Sequence, residues 1–583
     1  MSSPTAKSVV IVTLILAVAV WLHLPSLDAG LAADDFLNRA MLEGRYPVPR
    51  SPLDLYAFLH RQSELAPMMD GGVVPWWSHP ELKLSLLRPL SSALLWLDQR
   101  GLDLSPRGQH VHSLLWALVL LGSYFLLARR LLTEGAALIA TAILAFDSSL
   151  VAPIAWICNR TALISASFGA LGLWAYLRFR QDRWQPGLWL APAAFTLALA
   201  GGEYAICALG YVIAYELLGK GDPLAERLRG LALAAIPAGI YLSAHVGLGY
   251  GAKGSVVYIG PFDAPAQFAF EALLRVPSMI VTEFVLEPGE EVYAKLLARS
   301  PRVALSLMPA VVVLGLAVGT WRRSSAEGRR RLGAAALGML LAMLPLVGTV
   351  PSVRLLLIAS FGGSALLGAV IWDSGARLFE QRTLGTWLRV LVTAPLALWH
   401  LGHAPRLTRD YTHYWQTIVG GIRAKHLAAE IDDRKVAGQE LVLINATGDL
   451  AALLYPPWVR NHQGAPMPKR WRVLGIARSA QRATRTADDT LELSVVHGHM
   501  FEDPTSQLFR APSRPFHPGD RVTLPGLEIT VVEVDGWAPK RVRYRFDSSL
   551  DDPNRVFLLM EFGRMRRGFM PKVGEEFVVM PAG

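Results

Sequence analysis

The chain has 583 residues, 52% of them hydrophobic and 18% charged, with a net charge of +10 and a mean hydropathy of +0.33. This balance excludes a single soluble globule and points to a polytopic membrane protein of more than one domain. The positive charge does not indicate a nucleic-acid partner, because it falls at alternate ends of apolar runs rather than in one patch.

Apolar runs near the length that crosses about 30 Å of hydrocarbon recur at 8–24, 111–128, 134–151, 160–177, 187–202, 204–219, 230–248, 303–320, 332–349, 353–372 and 388–402. Arg129 and Arg130, Arg178 and Arg180, Lys220 with Arg227 and Arg229, the run "WRRSSAEGRRR", and Arg377 with Arg382 mark the inner ends. That pattern puts the short N-terminus inside and, after eleven crossings, residues from about 403 outside, in a multi-pass plasma (inner) membrane protein. The first run reads as a retained signal anchor. The expected organisation is a transmembrane domain over 1–403 with outer loops at about 25–110 and 249–302, a juxtamembrane helix or linker over 404–435, and an extracytoplasmic β-rich domain over 436–583.

In the first loop, the tryptophans of "VVPWWSHPELKLSLLRPL" suit an interfacial helix. In the second, "APAQFAFEALLRVPSMIVTEFVLEPGEE" has a helical pattern suited to lying along the surface. Past residue 403 the alternating runs "ELVLIN", "RWRVLGI", "LELSVV", "RVTLPGLEITVVEV", "RVRYRF", "RVFLLMEF" and "EFVVM" predict strands. In "RVRYRF", Val542, Tyr544 and Phe546 share one face and three arginines the other, as in a half-buried strand of a sandwich or barrel. Cys158 and Cys207 lie in or beside apolar runs, which argues against a disulfide framework. His497 and His499 lack a third metal ligand at a recognisable spacing. "NRT" at Asn159 and "NAT" at Asn445 match a glycosylation pattern short enough to recur by chance.

Ionisable residues are costly in hydrocarbon, and here they gather near the predicted outer ends of spans. Asp34 and Asp35 follow the first span, Asp147 ends the third, Arg160 opens the fourth, Glu203 lies between the fifth and sixth, and Arg354 opens the tenth. Acids and arginines converging on one leaflet suit a reaction that involves an anion and a proton. A sugar on a lipid phosphate meets that description: a carboxylate takes the proton of an attacking hydroxyl, and arginine stabilises the departing phosphate.

The "ADDF" that follows the first span resembles the acidic motif in the first outer loop of GT-C membrane glycosyltransferases. "LRPLSSALLWLD", "HVHSLLWALVLLGSYFLLARRLL", "APIAWICNRTALISASFGALGLWAYLRF", "LALAGGEYAICALGYVIAYELL" and "SVRLLLIASFGG" resemble, in order and spacing, the protein O-mannosyltransferase-like branch, which includes the transmembrane, tetratricopeptide-linked O-mannosyltransferases. The resemblance implies a GT-C-like fold and an inverting transfer from a polyprenyl-phosphate-linked sugar to a protein or glycan acceptor among membrane lipids. It puts the base at Asp34 or Asp35, with Arg88, Arg160, Glu203 and Arg354 as polar lining. Asp147 joins them as a substrate-binding candidate. The chain departs from the family pattern at Asp147, Ser148, Ala152, Ala162, Leu355 and Leu357, and it has no tetratricopeptide repeats. No cofactor is assigned, and a divalent-metal requirement stays open. The alternatives are a noncatalytic membrane protein that displays a β-domain and a transporter or flippase of lipid-linked substrates, although flippases commonly keep polar groups at mid-membrane.

Overall fold

The computed structural model describes residues 5–219, 222–427, 430–448, 450–561 and 563–582. Lys220 of the predicted charge pattern and Phe562 of a predicted strand lie outside the described residues. The chain forms two compact units, each assembled from separated stretches.

The first unit, residues 5–30, 87–248 and 259–416, is helical. Seven described helices are long and apolar enough to cross a membrane, or eight if the pair Glu134–Ala145 and Ser148–Ala155 counts as one span bent by 50°. Asp147 causes that break: its backbone is extended, and its carboxylate accepts the Ser149 N–H at 2.7 Å to start a new turn. The runs expected to cross at 187–202 and 204–219 form the shorter helices Gly187–Gly201 and Cys207–Leu217, and the run at 353–372 begins its α-helix only at Ser360. Small residues let the helices approach. At Gly210, for example, a Cβ would come 2.9 Å from the Ala342 backbone nitrogen. Several of the arginines at the predicted inner ends are built into ion pairs. Buried Arg180 holds Glu216 at 2.8 Å and Asp222 at 3.0 Å, and Arg330 also holds Asp222, at 2.8 Å. Helix Pro265–Val285 is half exposed and half buried, with Ser278 through Phe284 turned largely inward.

The second unit, residues 31–86, 249–258 and 417–582, is β-rich. It draws residues from both expected outer loops, a division the boundaries at 403 and 435 did not anticipate. Strands Ala57–Leu59, Lys83–Ser85 and Gly251–Lys253 form one small antiparallel sheet. A six-stranded antiparallel sheet runs in the order Glu576–Val579, Gln481–Ala487, Thr490–Val495, Ala538–Phe546, Leu527–Asp535, Arg521–Leu524. A four-stranded mixed sheet runs in the order Arg564–Arg567, Arg555–Glu561, Glu440–Asn445, Arg470–Gly475.

Every predicted strand is present, and Val542, Tyr544 and Phe546 are buried as the alternation requires. The plain sandwich or barrel is replaced, because Glu440–Asn445 and Arg470–Gly475 pair in parallel and therefore need the helical crossover that contains Pro456–His462. The interfacial helix expected at Trp76 and Trp77 is also corrected. Both rings are buried in this unit, where Trp77 stacks on Phe501 at 4.4 Å and the Trp76 indole N–H donates to the Leu474 carbonyl at 2.8 Å. Packing against aromatic side chains buries both rings in place of a bilayer surface, and the Trp77 N–H is left without an acceptor.

Candidate functional site

Two of the predicted arginines are neutralised within the helical unit. Arg160 is 3% exposed. It pairs with the fully buried Asp98, donates to the Ser113 hydroxyl at 2.9 Å and to the Gln109 carbonyl at 2.7 Å, and lies 3.0 Å from His112 Nδ1. Burial alone would raise the Asp98 pKa, but the His112 hydrogen bond and the Arg160 charge hold it below the ordinary carboxylate range. Arg88, also buried, grips Glu203 with two nitrogens, reaches the Thr161 hydroxyl at 3.4 Å, and lies over the Tyr204 ring at 5.1 Å. Burial works to raise the Glu203 pKa, and the Arg88 charge and hydrogen bond outweigh it and bring it down. Both clusters are closed in themselves, with each charge already answered by the protein.

Arg354 is held differently. It sits in the turn Val353–Leu355, which packs on the turn Ser148–Leu150 that Asp147 caps. It is half-buried, and among the described residues no carboxylate lies within 4 Å of it. Its guanidinium lies over the Trp156 ring at 5.4 Å and reaches the Asn159 side-chain oxygen at 3.5 Å, and Trp156 stacks on Trp415. That contact turns the Asn159 NH2 away from Arg354, and Asn159 Nδ2 is a buried donor with no acceptor. Trp156 Nε1 is another. A half-buried guanidinium with no carboxylate within 4 Å among the described residues is suited to receive an oxyanion.

The structure adds Glu283 to this neighbourhood. It is buried, accepts the Ser360 hydroxyl at 2.7 Å, and feels the charge of Asp147. Gly363 makes room for it: a Cβ there would come 1.9 Å from Glu283 Oε1. Sequence reading missed Glu283 because it lies in a stretch read as a surface helix, and the usable signal was an acid flanked by "MIVT" and "FVL". Asn159 was visible only as part of the "NRT" pattern. At 4% exposure its amide has another use.

The acid pair belongs to the β-rich unit. Ala33 has a φ of +45° and a ψ of −118°, a sparsely populated backbone that costs a residue with a Cβ about 1–3 kcal/mol, and this bend opens helix Asp34–Leu42. Asp35 is 2% exposed, and its carboxylate reaches back to accept the Ala32 N–H at 2.9 Å. Asp34 is half-buried and accepts the Tyr455 hydroxyl at 2.6 Å. The helix is seated on Pro456–His462 through Phe36 against His462, Tyr46 against Trp458, and Asn461 donating to Glu43. The acids therefore rest on the C-terminal part of the chain, and a truncation near Lys435 removes their support. Among the described residues, no three of His, Cys, Asp and Glu gather as a metal site would need.

No family model matches the sequence, and no curated protein matches it. Likeness to solved structures is found. One is the Archaeoglobus fulgidus oligosaccharyltransferase tethered with an acceptor peptide containing the NVT sequon, with a TM-score of 0.42 and 11% identity over 80% of this chain and 64% of that one. Another is the same organism's AglB in complex with an inhibitory peptide and a dolichol-phosphate, with a TM-score of 0.43, 11% identity and the same coverage. A third is ArnT from Cupriavidus metallidurans bound to undecaprenyl phosphate, with a TM-score of 0.43 and 13% identity over 78% of this chain and 85% of that one. The chain thus spans 64% of the length of the archaeal proteins. At these identities and scores, chemistry has to rest on this chain's own residues.

Proposed function

We propose that this membrane protein is a glycosyltransferase of the GT-C kind that moves a sugar from a polyprenyl phosphate to an acceptor hydroxyl at the extracytoplasmic face. The observation that carries this reading is the Arg354 cluster, where a half-buried guanidinium with no carboxylate within 4 Å among the described residues sits against Trp156 and the Asn159 side-chain oxygen, in contrast to the paired arginines Arg88 and Arg160. In this reading the acceptor oxygen attacks the anomeric carbon, the bond from that carbon to the phosphate oxygen breaks, and the electron pair leaves with the carrier phosphate. One displacement inverts the anomeric centre. The proton of the acceptor hydroxyl passes to a carboxylate, assigned to Asp34 as the more exposed acid of the pair, Asp35 being buried on the Ala32 N–H. Arg88, Arg160, Glu203 and Asp147 shape the helical unit around the donor. The sequence resemblance to the O-mannosyltransferase-like branch makes mannose the first sugar to test and a protein or glycan the first acceptor.

The test is transfer by the purified full chain from a panel of polyprenyl-phosphate sugars, with Arg354→Ala and Asp34→Asn beside the wild type. Sugar-specific transfer that both substitutions reduce supports the reading. A folded wild type that neither transfers nor hydrolyses any donor rejects it. The engagement of Asp34 by Tyr455 and of Asp35 by its own backbone favours a second reading, in which the pair only seats a helix and the chain displays its β-rich unit without catalysis. Full turnover in Asp34→Asn would assign the pair that structural role.

A further inference from the structure

We propose that a groove in the β-rich unit, between residues 62–80 and 510–524, binds an anionic saccharide whose negative charges are separated by hydroxyl-bearing units. The groove holds about 750 Å³ and is open to solvent. Its lining carries Arg510, Arg514 and Arg521 against one carboxylate, Asp520. Arg510 is fixed in place: Nε donates to the Arg514 carbonyl at 2.7 Å, Nη2 donates to the Pro515 carbonyl at 2.9 Å, and the guanidinium lies over the Phe516 ring at 3.6 Å. Among the described residues no carboxylate pairs with it within 4 Å, and the more distant Asp520 charge offsets it only in part. Arg514 and Arg521 meet Glu81 and Glu528 only at 3.5 and 3.7 Å in exposed pairs, which an incoming anion displaces at little cost.

His79 adds a neutral donor. Its Nδ1 accepts the Glu81 N–H at 3.1 Å, which leaves the proton on Nε2. Burial and the charges of Arg510, Arg514 and Lys253 press its pKa below the ordinary value, with Glu81 opposing. Asp520 decides the ligand class. A nucleic acid or acidic peptide brings closely spaced charge against that carboxylate, whereas a saccharide can donate a hydroxyl to it and place a carboxylate or phosphate on Arg510. The binding claim stands apart from the transferase reading. Only the use of such a saccharide as acceptor rests on that reading.

Calorimetry on the full chain in detergent, without donor, tests the binding with tetragalacturonate, neutral galactotetraose and tetraglutamate as probes. Saturable binding of tetragalacturonate is expected, at least about tenfold weaker in Arg510→Gln. The double variant Arg514→Gln/Arg521→Gln, made at exposed positions that leave the fold intact, should show a loss of similar size. Equal binding of galactotetraose, tighter binding of tetraglutamate, no saturable binding up to about 10 mM, or indifference to the double variant would overturn the proposal. Binding without transfer would defeat the acceptor role alone.

Discussion

Asn159 and Arg160 are neighbours in sequence, yet they serve two pockets with opposite accounts of charge. The Arg160 pocket is complete, since Asp98, Ser113, Gln109 and His112 use its guanidinium from several sides. The Arg354 pocket is incomplete: Asn159 offers that arginine one oxygen and leaves its NH2 group without an acceptor. This contrast separates a buried cation from a half-buried one in a helical membrane unit. Where the protein supplies the counter-charge, the residue holds helices together. Where no carboxylate is in reach, the half-buried guanidinium stays open to solvent or to an anion.

Breaking the complete pocket should produce the largest effect. Asp98→Ala leaves Arg160 buried without its carboxylate, and the expected loss is about 3–5 kcal/mol of stability, read as thermal unfolding of the purified protein in detergent. Next comes the acid pair. Asp34→Asn is expected to leave a folded protein with turnover reduced by about 10² or more, measured as transfer rate at saturating donor. Arg354→Ala should unfold at the wild-type temperature and lose about 1.5–3 kcal/mol in donor use, with Lys restoring part, since it keeps the charge without the fork. Asp35→Ala removes the carboxylate that holds the Ala32 N–H, and should cost about 0.5–2 kcal/mol of stability, read by the same unfolding.

A further effect comes from pH. Arg50 holds Glu64 in the β-rich unit with two bonds at 2.8 and 2.6 Å, and the His60 N–H adds a third at 2.8 Å. Burial pushes the Glu64 pKa up, but these partners outweigh it and bring it down to about 2. The folded value lies below the unfolded one of about 4.3. The stabilisation is therefore present above about pH 4.3 and is lost as the pH falls toward about 2. Unfolding temperature followed from pH 6 to 3 should fall less steeply in Glu64→Gln.

The sequence disclosed what is periodic. Apolar length marked the helical unit, and the alternation of "RVRYRF" marked a strand whose buried face is as expected. It concealed what depends on distant chain. Lys83–Ser85 pairs with Gly251–Lys253 across more than 160 residues, so neither short strand has a local signal. Trp76 and Trp77 carry the composition of a membrane interface and are buried on Phe501 and Tyr544, because an aromatic pair reads the same in either setting. Among the candidate residues, charge type and position selected Arg88, Arg160, Glu203 and Arg354. Only the structure sorts them by whether a carboxylate pairs with them, and Glu283 was hidden in a stretch read as a surface helix.

The claim that Arg354 and Asn159 await an oxyanion can be read directly. Undecaprenyl phosphate would be titrated into the full chain in nanodiscs, for the wild type, Arg354→Ala, Asn159→Ala and Arg88→Ala, with undecaprenol as the uncharged control. The account predicts saturable binding that requires the phosphate and weakens at least about tenfold in Arg354→Ala, less in Asn159→Ala, while Arg88→Ala changes the unfolding temperature more than the affinity. Equal affinity for undecaprenol, or wild-type affinity in a folded Arg354→Ala protein, would contradict it.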